Sequence, residues 1–458
     1  MKNKKGLYIQ MHSMHGLFRG KNLELGRDED TGGQIVYVLE LAKAFGRQPG
    51  VGRVDIMTRL IKDRHYPGYD KSVEKVPDNV RIIRIPCGGP KYIMKVDLWP
   101  HIDEFVENTI QFIEGLGRKP DILHSNYADA GLVCTKLSKK LGIPQVHTGH
   151  SLGKPKMERI GVTKHNYREM NSIFHFDERI RAEQTTFNNA KAIICSTEDE
   201  RKKQYGMYDV DVQDGRFHVV YPGISVDRYH PFYSRRKPGH WEIMARERLR
   251  EVIFQPLKDV KKPLIFSISR LDMRKNIDGL LKAYGRDRGL QKLANLVVFA
   301  GKRDNPEKLD AREKALLTQL FILIDAYDLQ GKVSLPKHVD FQKEVPELYR
   351  LIARSGGVFV NPAYTEPFGI TNLEAAASGL PVVSTDNGGP SSVITDGKNG
   401  ILVDVRDTAN IARGIKRLLR NKKLWKEISR AGHDNVAENY TWDVSARKEL
   451  DIFKQILQ

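Results

Sequence analysis

Short apolar runs alternate with longer amphipathic stretches along most of this chain. The first series comprises Gly6-Leu-Tyr-Ile-Gln-Met, Val54-Asp-Ile-Met-Thr, Val80-Arg-Ile-Ile-Arg-Ile, Ile122-Leu-His-Ser and Gln145-Val-His-Thr, with a helix-period segment from Gly33 to Phe45. A second series begins after Pro263, with Leu264-Ile-Phe-Ser-Ile-Ser, Asn295-Leu-Val-Val-Phe-Ala-Gly, Val333-Ser-Leu, Val358-Phe-Val-Asn and Pro381-Val-Val-Ser-Thr. Strand and helix in turn predict two α/β domains, each a doubly wound parallel sheet with helices on both faces. The Pro- and Gly-bounded stretch Tyr221-Pro-Gly-Ile-Ser-Val-Asp-Arg-Tyr-His-Pro reads as the crossing between them. The boundary is expected near residue 225, with an N-terminal domain at 1–225, a C-terminal domain at 226–439 and a helix at 440–458 returning to the first. Open parallel sheets bind ligands beyond the carboxyl ends of their strands, so two such domains facing each other are expected to share a site in the cleft between them.

Composition narrows the class. At 458 residues, with 29% charged and 40% hydrophobic positions, the balance is that of a globular protein. No apolar run approaches the roughly 18 residues of a membrane span. Met1-Lys-Asn-Lys-Lys carries the charge of a leader, yet Leu7-Tyr-Ile-Gln-Met-His is too short and polar to be its apolar core. Cys87, Cys134 and Cys195 lie far apart and are odd in number, which argues against a disulfide framework or a clustered zinc site. A reducing cytoplasm is the expected location. The formal net charge of +18 suits nucleic acid, an acidic membrane or small phosphorylated ligands. The basic residues are spread along the chain with no reading motif, so no nucleic-acid or membrane partner is expected.

Four motifs carry candidate chemistry. Glu366-Pro-Phe-Gly-Ile-Thr-Asn-Leu-Glu374 joins a strand to an apolar helix, with two carboxylates eight positions apart. One reading is an ordinary capping carboxylate. The other is an anion site: Gly369 lets the backbone approach a diphosphate, the amides of Thr371 and Asn372 face it, and Glu374 in the first turn accepts from ribose hydroxyls while Glu366 meets the sugar. Ser269-Arg-Leu-Asp-Met-Arg-Lys-Asn276 places Arg270 and Lys275 at a strand's carboxyl end, where two cations can neutralise a leaving diphosphate or simply be solvated. Asp30-Thr-Gly-Gly-Gln34 opens the first helix without being a G-x-G-x-x-G or Walker-type loop, which removes support from NAD and ATP chemistry. His147-Thr-Gly-His150-Ser151 closes a strand; no carboxylate or Cys stands in register to complete a metal site, and a neutral His150 hydrogen-bonding a donor sugar is the alternative.

With these motifs the chain resembles the glucosyltransferase domain of sucrose-phosphate synthases, retaining nucleotide-sugar transferases of the GT-B fold with two Rossmann-like domains. The resemblance rests on the segment from Ser13 to Gln34, on Phe359-Val-Asn-Pro-Ala-Tyr-Thr-Glu-Pro-Phe-Gly-Ile-Thr, and on Thr385-Asp-Asn-Gly-Gly-Pro390. It implies transfer of glucose from UDP-glucose to fructose 6-phosphate with retention. In that reading Arg270 and Lys275 hold the diphosphate, and Glu366 with Phe368, Gly369, Ile370, Thr371 and Asn372 holds glucose and phosphates. Glu374 holds ribose, and His150 is the donor-side histidine. Gly33 and Gln34 match the sugar-binding loop, while Lys95, Tyr127, Ser151, Lys156 and Arg179 match the residues that hold fructose 6-phosphate. Glu178 stands where a second arginine precedes Arg179 in such proteins, and Arg181 is the nearby substitute. No metal or other cofactor is implied as a requirement; stimulation by Mg2+ is left open, with no site evident. Sucrose synthases, which use free fructose, and mannosylfructose-phosphate synthases, which use GDP-mannose, are the neighbouring activities. No phosphatase-like domain is recognisable, so a separate sucrose-phosphate phosphatase is expected downstream.

Overall fold

The computed structural model describes residues 6–458 other than 302 and 367. The chain forms two compact units: unit 1 runs to Gly223 and takes up the chain again from Trp442, and unit 2 is Ile224–Thr441. The returning helix begins at Trp442, because Tyr440 still belongs to unit 2, where its carbonyl accepts from the Ile224 amide at 2.7 Å.

Unit 1 is built on β1 (Leu7–His12), β2 (Val51–Arg59), β3 (Val73–Val76), β4 (Val80–Ile85), β5 (Ile122–Asn126), β6 (Gln145–Thr148), β7 (Ala192–Cys195) and β8 (Phe217–Val219). Their order in the sheet is β3-β4-β2-β1-β5-β6-β7-β8, and every pairing is parallel except β3 with β4. Unit 2 orders β9 (Leu264–Ser269), β10 (Asn295–Ala300), β11 (Val333–Ser334), β12 (Val358–Asn361), β13 (Val382–Thr385) and β14 (Ile401–Val403) as β11-β10-β9-β12-β13-β14. Four of these strands are absent from the sequence series. β7, β8 and β14 are runs of three or four residues. β3 reads Val-Glu-Lys-Val, the half-polar pattern of an edge strand whose charges discourage further pairing.

The core of unit 1 lies on both faces of its sheet. On one face the helix Gly33–Arg47 buries Ile35, Val38, Leu39, Ala42 and Phe45, a helical stripe. The helix Trp442–Leu457 packs on it, with Phe453 5.5 Å from Phe45 and Trp442 edge-on to Tyr37 at 5.1 Å. On the other face Phe105, Val106, Val133 and Leu137 cover Met57, Ile83 and Leu123. The interior also holds charge that is neutralised in place: Arg81 grips Asp55 through two bonds of 2.8 and 2.6 Å, and the Tyr8 hydroxyl donates to the same carboxylate.

Glu449, on the returning helix, is buried 3.7 Å from the His124 imidazole. Burial pushes its carboxyl up to about 8 and holds His124 down at about 3, so near neutrality both are uncharged. A carboxyl raised in the folded state stabilises the fold fully below its unfolded value, and that contribution is lost as pH rises through about 8. Glu449→Gln keeps the shape and removes the titration. Wild type is expected to lose a few kcal/mol relative to this variant between about pH 5 and 9, read from urea midpoints.

Candidate functional site

Both sheets reverse direction at a central strand, and crevices open at such switch points. In unit 2 the chain leaves β9 towards β10 and β11 and returns on the other side at β12, so the loops after β9 and β12 lie side by side. In unit 1 the same happens between β1 and β5, with the loop after β6 next to them.

The unit 2 crevice gathers the carboxylate and cation motifs. Lys275 Nζ meets Glu366 Oε2 at 2.7 Å although the two residues are 91 positions apart. Lys275 ends a short turn capped by Asp272, whose carboxylate accepts from the Arg274 amide, and the left-handed Asn276 that follows ties its side chain to the carbonyls of Pro362 and Val405. Arg270 is exposed at the end of β9. Glu366 is fixed through its backbone: its carbonyl accepts from the Gly389 amide at 2.8 Å, and a Cβ on Gly388, at φ +94, would stand 2.6 Å from that oxygen. Gly388 of Thr385-Asp-Asn-Gly-Gly-Pro390 is thus required by contact with the carboxylate turn.

The helix after β12 starts at Ile370, with Gly369 as its cap at φ +87. Two details differ from the sequence expectation. Glu374 is the fifth helical residue, one turn in. The Asn372 amide is taken by the Gly369 carbonyl at 2.9 Å, so it is not available to an anion, and the leading amides are those of Ile370 and Thr371. Asn372 instead braces the turn, its side chain donating to Ser384 Oγ at 3.0 Å. The Phe368 ring is buried 6.3 Å from Tyr440 and leaves only backbone for a ligand. Glu374 is buried and accepts from the Tyr349 hydroxyl at 3.2 Å; burial pushes its carboxyl up to about 7.

The unit 1 crevice brings together the remaining residues. A side chain added at Gly33 would meet nothing within 4 Å, and Gln34 beside it donates to Ser13 Oγ at 2.9 Å. Tyr127 and His150 end β5 and β6 with φ of +78 and +57, conformations that non-glycine residues hold only when their surroundings compel it. Asn126 gives its amide hydrogens to the carbonyls of His12 and His124, which turns its oxygen towards His150 Nε2 at 2.9 Å. That nitrogen therefore carries the proton and Nδ1 is left as an acceptor. Desolvation, together with His124, His147 and His15, holds the imidazole neutral at about 3. His147 sits in the core, hydrogen-bonded to Ser125 at 2.9 Å.

Four cations, Lys95, Lys156, Arg159 and Arg179, approach one another here. Arg179 is buried, its guanidinium 4.7 Å from the Tyr127 ring centre, bonded to Glu183 at 3.0 Å and to the Ser151 carbonyl at 2.7 Å. Lys156 lies over the Phe174 ring at 4.0 Å. Its ammonium is lowered to about 8 by burial first, then by Arg179, Lys95 and Arg159. Lys95 is an exception among the expected anion ligands, because Asp30 accepts both its backbone and its ammonium hydrogens. Arg181 is exposed and two positions from buried Arg179, which places it on the opposite side of the helix Phe176–Asn189; it does not replace the missing arginine beside Arg179. Arg159, one turn after Lys156, is the nearby cation that sequence reasoning overlooked, and the i,i+3 spacing was its signal. Asp30, Asn126, Glu183 and Tyr349 were also overlooked, because their partners are distant in sequence.

Two parallel-sheet α/β units, each with a switch-point crevice, are the arrangement of the GT-B fold, and residues 250–434 match the family described as glycosyl transferases group 1. Residues 6–253, more than half of the chain, match the family described as the sucrose synthase first GT-B domain, and the chain belongs to that family. It is 38% identical to sucrose-phosphate synthase 4 of Arabidopsis thaliana over 98% of this chain and 48% of that protein. It is likewise 38% identical to the sucrose-phosphate synthase of Zea mays, over 97% of this chain and 47% of that one. The chain thus spans about half the length of the curated relatives it matches. Among solved structures, sucrose-phosphate synthase from Thermosynechococcus elongatus superposes with a TM-score of 0.68 at 24% identity, covering 98% of this chain and 99% of that one. The catalytic domain of starch synthase IV from Arabidopsis thaliana, bound to ADP and acarbose, gives 0.65 at 14% identity over 99% of each. Both share the fold.

Proposed function

We propose that the chain transfers glucose from UDP-glucose to fructose 6-phosphate with retention, giving sucrose 6-phosphate and UDP. The observation that carries this reading is the cation cluster of unit 1. Burial first, and then the nearness of Arg179, Lys95 and Arg159, lowers the Lys156 ammonium to about 8, and the charge repulsion within this cluster is relieved by a phosphomonoester with close to two negative charges and not by free fructose. Tyr127, Ser151, Gly33 and Gln34 are the neighbours that would orient the sugar. On unit 2, Arg270, Lys275 and the amides of Ile370 and Thr371 neutralise the diphosphate, Glu366 accepts from glucose hydroxyls and Glu374 from ribose. His150, through Nδ1, accepts from a donor-sugar hydroxyl.

In this mechanism the fructose hydroxyl attacks the glucose carbon on the face from which UDP departs, and a departing phosphate oxygen takes the proton. The cations and amides neutralise the developing charge without a required divalent ion. Sequence kinship to sucrose-phosphate synthases supports the acceptor, and the Glu366 and Lys275 pairing supports the donor. The test is a four-way assay of fructose and fructose 6-phosphate, each with UDP-glucose and GDP-mannose. Turnover with UDP-glucose and fructose 6-phosphate alone is expected. Preference for free fructose would make the protein a sucrose synthase, and preference for GDP-mannose a mannosylfructose-phosphate synthase. A separate phosphatase would then act on the phosphorylated product.

A further inference from the structure

Glu374 is held in an unusual way for a carboxylate meant to meet a ligand. Tyr349, on the helix Val345–Arg354, has its ring wedged 5.6 Å from both Phe266 and Phe359 and 6.1 Å from Tyr229, so its hydroxyl has little freedom as it donates to Glu374 Oε2. Tyr229, on the segment that follows Ile224, lies near the same carboxyl, but its buried hydroxyl has no hydrogen-bond partner among the described residues. Burial raises both phenols well above their ordinary range, so each remains neutral. The charged group that acts on Glu374 is Arg228, and its guanidinium is engaged with the Phe341 carbonyl at 2.6 Å. No lysine or arginine therefore bonds the carboxyl directly among the described residues, in contrast with Glu366 and Lys275.

We propose that Tyr349 is a positioning residue for nucleotide recognition: its hydroxyl, with Tyr229 beside it, orients Glu374 towards the vicinal hydroxyls of the bound ribose. This rests on the reading of Glu374 as the ribose ligand. Two sugar O–H groups donating to one carboxyl favour its ionised form, so capture of the nucleotide sugar releases a proton whenever the free site is protonated. The free carboxyl titrates near 7, so affinity is expected to fall below neutrality by about tenfold per pH unit and to level off above it. Removing the Tyr349 hydroxyl removes a donor to the ionised form. The carboxyl then titrates higher and the whole profile moves to higher pH.

The experiment measures UDP-glucose affinity of the full chain by calorimetry from about pH 5.5 to 9, without acceptor. Its phosphodiester charges do not titrate in that range, so the profile reports the protein. Tyr349→Phe is expected to move the midpoint upward by roughly half a unit to one unit, with affinity at the alkaline plateau within about threefold of wild type. Tyr229→Phe, which removes a nearby but unbonded hydroxyl, is expected to move it in the same direction by less and serves as the second probe should Tyr349→Phe fold poorly. Unmoved midpoints in both variants, with affinity lowered equally at every pH, would mean a structural role and overturn the proposal. Glu374→Gln has no titrating carboxyl and separates the two readings. A flat, weakened profile upholds the ribose assignment whatever the tyrosine variants show, whereas undiminished affinity in this variant overturns both.

Discussion

Replacing Lys275 by alanine lowers kcat by roughly three orders of magnitude, about 4 kcal/mol of transition-state stabilisation. The size follows from two losses at once. In the proposed transfer a departing diphosphate forfeits a fixed ammonium, and Glu366, whose carboxylate lies 2.7 Å from that ammonium, is left facing the same anion without its counter-charge. Arg270 is exposed at its loop and has more water around it, so Arg270→Ala is expected to cost less, about thirtyfold. Steady-state kcat together with UDP release in a single turnover checks both. Full activity of Lys275→Ala would remove the donor assignment.

The second large effect falls on the acceptor. For the proposed reaction, Lys156→Ala is expected to raise KM for fructose 6-phosphate about a hundredfold while leaving UDP-glucose affinity unchanged, in line with the loss of one charge-assisted contact, about 3 kcal/mol. It also changes a pH profile. The Lys156 ammonium in the free protein is lowered to about 8, so above that pH the side chain is uncharged before acceptor arrives, and kcat/KM for fructose 6-phosphate declines on the alkaline side. In Lys156→Ala that decline is absent. Arg179 is a poorer probe, since it is buried and its removal strands Glu183, which also accepts from the Gly153 amide at 3.0 Å. A Lys156→Ala enzyme with wild-type acceptor KM and an unaltered alkaline limb would count against a phosphorylated acceptor.

The parallel sheets were legible because β-branched and aromatic runs such as Leu264–Ser269 and Asn295–Ala300 have no helical period and are buried on both faces. The carboxylate motif was legible as a turn because Gly369 stands between strand and helix. What the sequence could not supply were the partners. Glu183 lies on a polar helix and reads as a solvated carboxylate until packing buries it against Arg179, Gly153 and Tyr208. Tyr349 falls on the apolar stripe of its helix and reads as core, and only the arrival of Glu374, 25 positions away, gives its hydroxyl a task. Lys95 was visible as a cation but not as one already held by Asp30, 65 positions earlier. The Asn372 amide is not free for a ligand because the left-handed cap at Gly369 starts the helix at Ile370, one residue earlier than expected, and the Gly369 carbonyl takes that amide.

The return of the helix Trp442–Leu457 to unit 1 sets an order on biosynthesis. Unit 2 is one continuous stretch, whereas unit 1 is interrupted by roughly 200 residues before its last helix is made. At about 5–20 residues per second, the nascent first sheet waits some 10–40 s, with the apolar surface around Phe45 lacking the cover of Phe453 and Trp442. Unit 2 can close on itself during that interval. Unit 1, begun before unit 2, is therefore completed after it, and its apolar surface is the longer exposed of the two.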